Sequence, residues 1–86
     1  MTQEVVLPTG EFCEVGVIKV SDMAAAFGSQ SGIISMAILA HRLAKIDGKE
    51  VTLEQIITMP YGTAAPIFHL LTKQMESAYK TREGIA

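Results

Sequence analysis

Glu4-Val5-Val6-Leu7-Pro8-Thr9-Gly10-Glu11-Phe12-Cys13-Glu14-Val15-Gly16-Val17-Ile18-Lys19-Val20 is the stretch that decides the fold class. Both of its flanks, Glu4–Leu7 and Phe12–Val20, are rich in β-branched and aromatic residues, which suit a pleated, half-buried surface. Between them, Pro8 presets one φ and Gly10 tolerates a positive one, so the chain reverses through Pro8–Glu11. The spacing predicts a β-hairpin over residues 2–20 with a four-residue turn. Gly16, inside the second strand, marks a bulge or a close backbone approach.

From Ser21 onward the period changes from two to between three and four. Ser21-Asp22 can cap a short helix, Met23–Phe27, and Gly28-Ser29-Gln30-Ser31-Gly32 ends it or kinks it into the next. Met36, Leu39, Leu43 and Ile46 then fall on one face of a helix expected over Ile33–Ile46, with Ile34 and Ile38 widening the apolar arc. An arc this wide implies burial on more than one side, by the rest of the chain or by a partner. Asp47–Glu50 reads as a turn in which Gly48 takes the left-handed conformation at the helix end.

Thr52-Leu53-Glu54-Gln55 has the form of a capping box, opening a helix over Leu53–Thr58 that stops before Pro60. Tyr61-Gly62 is expected to turn, with Thr63 capping a final helix that carries Pro66 in its first turn. Ala64, Ile67, Phe68, Leu71, Met75 and Tyr79 form its apolar stripe, and residues 81–86 are expected to fray. The architecture expected is α+β: one small domain over 1–86, with a hairpin (2–20) followed by three to four packed helices (21–80).

Composition narrows the function. With 86 residues the chain buries only about 60–65% of its unfolded surface, so its core is thin. Seven basic against nine acidic residues give a net charge of -2, and no Lys/Arg run neutralises phosphates, so a nucleic-acid partner is not expected. The longest apolar run, Ile33–Ala40, is far short of the roughly 20 residues of a spanning helix, so no membrane partner is expected. The first residues lack the pattern of a signal peptide, and the expectation is a cytosolic protein.

No constellation for catalysis emerges. Cys13 is the single cysteine, which excludes an internal disulfide, and it reads as a semi-buried small residue. His41 and His69 lie on different helices without a ligand four residues away, so no metal and no general base is expected. Asp22 and Glu54 suit helix caps and first turns, while Asp47 and Glu50 bracket a turn. Gly28–Gly32 lacks the Lys-Ser/Thr of a phosphate loop and is better read as a hinge. Ser29, Ser31 and Ser35 have no histidine at a motif spacing. The chain reads as non-enzymatic, without cofactors.

What remains is apolar surface. Of the methionines, Met36 and Met75 suit the core, while Met23 and Met59, beside short helices and loops, suit contacts with a partner, for which methionine is adaptable.

The order of these features resembles a family. Leu7-Pro8-Thr9-Gly10 leads into a Val-rich strand, Val20-Ser21-Asp22 opens the helical region, and Ala44-Lys45-Ile46-Asp47-Gly48-Lys49 is followed by Val51-Thr52-Leu53-Glu54-Gln55 and a final amphipathic helix. Over most of the chain this looks like the small tail assembly chaperones of long-tailed bacteriophages and Mu-like prophages. One departure stands at the last helix, where Gly62-Thr63 replaces the acidic opening residue of the pattern. The resemblance implies a protein of the host cytoplasm that binds helical segments of the tape measure protein during tail assembly, often made with a frameshifted longer form. The thin core and wide apolar helix faces add the expectation of a homo-oligomer or a partner helix. The alternative is a structural tail or baseplate component. The partner-binding residues expected on this reading are Met23, Met36, Leu39, Leu43, Met59, Ile67, Leu71 and Met75.

Overall fold

A tight turn starts the fold. In the computed structural model, which describes residues 3–28 and 31–85 (side chains through 78), the Gly10 amide donates to the Leu7 carbonyl at 2.8 Å. The Leu7 amide donates to the Glu11 carbonyl at 2.8 Å, and Gly10 takes a φ of 91°, open to glycine at little cost. This turn joins β1 (Gln3–Val6) to β2 (Phe12–Val15), antiparallel, with Val5 opposite Cys13 and Val6 opposite Phe12. The expected hairpin is present. Thr2, its first residue, lies outside the described residues.

The second strand is shorter than expected, ending at Val15 rather than Val20. Beyond it the backbone finds other partners: the Gly16 amide donates to the Leu43 carbonyl at 3.0 Å, and Lys19 becomes the N-cap of a helix. That helix, α1 (Val20–Ala26), starts three residues before the expected Met23. Asp22 is therefore not its cap residue but sits in its first turn, where it reaches back to accept from the Lys19 amide at 2.9 Å.

Ser31 caps α2 (Gly32–Leu43), its Oγ accepting from the Ile34 amide at 3.4 Å. Ser29 and Gln30, in the expected hinge, lie outside the described residues. The largest departure from expectation follows. The helix expected to run to Ile46 stops at Leu43, and Ala44–Ile46 is a strand, β3, that pairs antiparallel with β2. Asp47 and Gly48, with φ of 51° and 79°, turn β3 directly back into β4 (Lys49–Glu50). Gly48 is therefore the second residue of a two-residue hairpin turn and not a helix terminator. The result is a four-stranded antiparallel sheet in the order β1-β2-β3-β4.

The capping box forms as expected on α3 (Leu53–Thr58): the Gln55 amide donates to Thr52 Oγ1 at 3.1 Å and the Thr52 amide donates to Gln55 Oε1 at 2.8 Å. α4 (Tyr61–Ile85) begins immediately after Pro60, whose carbonyl accepts from the Thr63 and Ala64 amides at 2.9 and 3.1 Å. Tyr61-Gly62 is thus the start of the helix rather than a turn, and Thr63 lies inside it rather than capping it. Pro66 falls in the second turn, and the carbonyl that loses its amide partner there belongs to the exposed Gly62. The helix continues to Ile85, through most of the stretch expected to fray; Ala86 and the side chain of Tyr79 lie outside the described residues.

Alternation along the strands sorts the sheet into two faces. Cys13, Val15 and Ala44 are buried against the helices. On the opposite face, Lys45 stands between Glu14 and Glu50 in register, which offsets the adjacent like pair Glu4 and Glu14. The helices form the second layer, with α2 in contact with α1, α3 and α4. Among the described residues, no helix is long and apolar enough to cross a membrane.

Candidate functional site

The segment linking β2 to α1 is held by the Leu43 carbonyl at Gly16, by packing of Ile18 against the core, and by the side chain of one glutamine. Gln74 of α4 donates from Nε2 to the Gly16 carbonyl at 2.7 Å and accepts at Oε1 from the Ile18 amide at 3.0 Å. Its amide thereby substitutes for a neighbouring strand. With Gly16 and Ile18 fastened on either side of it, Val17 projects outward and is exposed, and Val20 at the start of α1 is 86% exposed.

Between this segment and α4 lies a groove of about 550 Å³. Val17, Ile18, Val20 and Met23 form one wall; Met75, next to Gln74, and Ala78, one turn past it, form part of the other. The surface is predominantly apolar, and Lys19 is its only ionisable residue among those described. Gln3 of β1 also borders it, with Oε1 buried and lacking a hydrogen-bond partner. A groove of this kind offers side-chain burial and little directional bonding, the chemistry of a surface that seats an amphipathic segment.

A second, smaller recess of about 280 Å³ is polar, lined by Asp22, His41, Arg42 and Glu50. Arg42 Nε donates to Asp22 Oδ1 at 2.9 Å. The Lys19 amide first and the Arg42 guanidinium second hold the Asp22 carboxyl below the usual carboxylate range. His41 Nδ1 lies 2.7 Å from the Val51 carbonyl, which can only accept, so that nitrogen carries the proton. Asp22, Arg42 and His41 are engaged in tying α1, α2 and the β4–α3 link together. Among the described residues, no group of three His, Cys, Asp or Glu side chains could hold a metal. Burial pushes the Cys13 thiol up to about 11, with the nearby Glu14 charge adding to the shift, so the thiolate is scarce at neutral pH.

The residues expected to bind a partner divide sharply. Met23 and Met75 both line the groove. Met36, Leu43 and Met59 are half-buried against the core. Leu39, Ile67 and Leu71 are each 0% exposed and belong to the core itself, because α2 and α4 turn those faces toward each other and the sheet. They have no surface to offer in this fold. Met59, expected to reach outward, packs inward, whereas Met75, expected in the core, lines the groove. Val17, Ile18, Val20, Gln74 and Ala78 went unrecognised as groove residues. The signal for the first two is the run Val15-Gly16-Val17-Ile18, which is apolar at successive positions and so cannot bury every side chain on one face of a strand.

Compared with family models, curated proteins and solved structures, the chain matches none.

Proposed function

We propose that the protein is a non-catalytic tail assembly chaperone of a long-tailed phage or Mu-like prophage, one that holds a helical stretch of the tape measure protein in the host cytoplasm while the tail is built. The observation that carries this reading is the apolar groove between the Val17–Met23 segment and Met75–Ala78 of α4. A tape measure chain is long and helical, and its apolar faces need cover until the tail tube closes around it. A small fold that leaves Val17, Val20 and Met23 beside a second apolar wall provides such cover. Further support comes from the Leu7–Gly10 turn, the Thr52–Gln55 capping box and the long last helix, which follow the order seen in the family it resembles.

Co-expression with a tagged tape measure protein tests the reading. The expected result is co-purification and a larger soluble fraction of the tape measure chain. A tape measure protein equally soluble alone, with nothing retained on it, overturns the proposal. Mass spectrometry of purified virions supplies the second test: a chaperone is absent from the particle, and a stoichiometric presence there assigns the protein to the tail structure instead.

A further inference from the structure

The groove carries enough chemistry to say what kind of chain fits it. Part of the backbone beside it is already engaged: the Gly16 carbonyl and the Ile18 amide bond to Gln74, and the Lys19 amide bonds to Asp22. The Lys19 carbonyl accepts from the Asp22 and Met23 amides. An extended peptide laid along Gly16–Lys19 on the side of α4 would find the Gly16 carbonyl and the Ile18 amide already taken, so this segment is a poor template for strand addition. An occupant must gain its affinity from side chains, which favours a helix laying an apolar stripe between the two walls.

Charge separates the remaining occupants. Lys19 is the only ionisable residue among those described along the groove, and Asp22, the nearest acid in sequence, lies outside the groove and is held by Arg42. Two copies of this chain meeting groove to groove would bring Lys19 toward Lys19 with no carboxylate between them among the described groove residues. A second copy is therefore a poor match. A partner helix with an acidic residue flanking its apolar stripe is complementary.

We propose that the groove seats one amphipathic helix of a different protein, apolar stripe inward, with a carboxylate on the flank that passes Lys19. The identity of that protein as the tape measure rests on the function proposed above; the site does not.

The test uses the full chain and two synthetic 18-residue helical peptides that share one Leu/Met stripe, with Glu on the flank of one and Lys on the flank of the other. The Glu peptide binds tighter, roughly two- to fivefold, as suits an exposed rim charge, and Lys19→Glu reverses the preference. Val20→Glu, at a position already in water, weakens both peptides on the order of tenfold, whereas Ile57→Glu, exposed elsewhere, changes neither. Methyl shifts on labelled protein appear at Met23 and Met75. No binding, equal binding of the two peptides, indifference to Val20→Glu, or a dimer that Val20→Glu dissolves would each overturn the proposal. Tape measure binding that survives Val20→Glu removes the site and leaves the chaperone reading standing. Peptides that behave as stated beside a tape measure protein that does not bind remove the chaperone reading and leave the site.

Discussion

Arg42 on α2 reaches back to Asp22 on α1, Nε to Oδ1 at 2.9 Å, and joins the two helices. Asp22 is buried at this contact, while the Arg42 side chain keeps 39% of its surface in water. Arg42→Ala removes one of the donors to a buried carboxylate. The expected loss is about 1 kcal/mol, below the usual range for a charge-assisted bond because Arg42 is partly solvated. Urea denaturation at pH 7 measures it.

The same carboxylate makes stability depend on acid. Its folded value lies below 3.8, the ordinary value, so the unfolded chain binds the proton more readily than the folded one. The contribution is complete above that ordinary value and drains away as the pH falls through the lower, folded one. The gap in urea midpoint between the native protein and Asp22→Asn should accordingly be widest near neutrality and close toward pH 3. A gap that widens in acid contradicts the assignment.

Gln74 makes both of its bonds to one short segment, so Gln74→Ala leaves the Gly16 carbonyl and the Ile18 amide unpaired together. About 2 kcal/mol is expected at roughly 1 kcal/mol per bond. Hydrogen exchange gives the sharper readout: the Ile18 amide should exchange much faster in the variant, with the Val5 and Cys13 amides in the sheet little changed.

Cys13 is 0% exposed and its thiol is pushed up to about 11. At pH 8 the folded protein should react with a disulfide reagent at least on the order of a hundredfold more slowly than the urea-unfolded chain, whose thiol sits near 8.5. Equal rates would show that β2 opens readily.

Two glycine substitutions should move in opposite directions. Gly48 has a φ of 79°, so Gly48→Ala is expected to cost about 1 kcal/mol. Gly62 lies within α4, where an added Cβ meets nothing within 4 Å, so Gly62→Ala should gain about 0.5–1 kcal/mol. Thermal melting of the pair reads both signs.

Core and groove also separate by mutation. Leu71→Ala should destabilise by about 2–5 kcal/mol, as truncation of a fully buried leucine does. Val20→Glu should leave the melting temperature almost unchanged, since Val20 is already in water.

Local signals with a single interpretation were readable from the chain. Leu7-Pro8-Thr9-Gly10 makes a turn whatever surrounds it, and Thr52 with Gln55 closes a capping box within four residues. Ala44-Lys45-Ile46 was misread because alanine and lysine favour helices, and Ile46 continues the spacing of Met36, Leu39 and Leu43. What overrides propensity there is distant: pairing with Cys13, Glu14 and Val15, more than 25 residues earlier. The Asp47-Gly48 pair was the available clue, being a strong signal for a two-residue hairpin. The groove was hidden for a related reason. Val17–Val20 has strand composition, and only the bonds to Gln74, 56 and 58 residues away, show that it leaves the sheet.

The joint between Leu43 and Ala44 has no spare residue, since the helix ends and the strand begins at adjacent positions. One residue added there would rotate α2 by about 100° against the sheet. Alternatively, it would shift β3 by one place and turn Lys45 toward the helices in place of Ile46. Either outcome disrupts the core, whatever residue is inserted. At this joint the chain is constrained by count: substitutions can be absorbed, and insertions cannot.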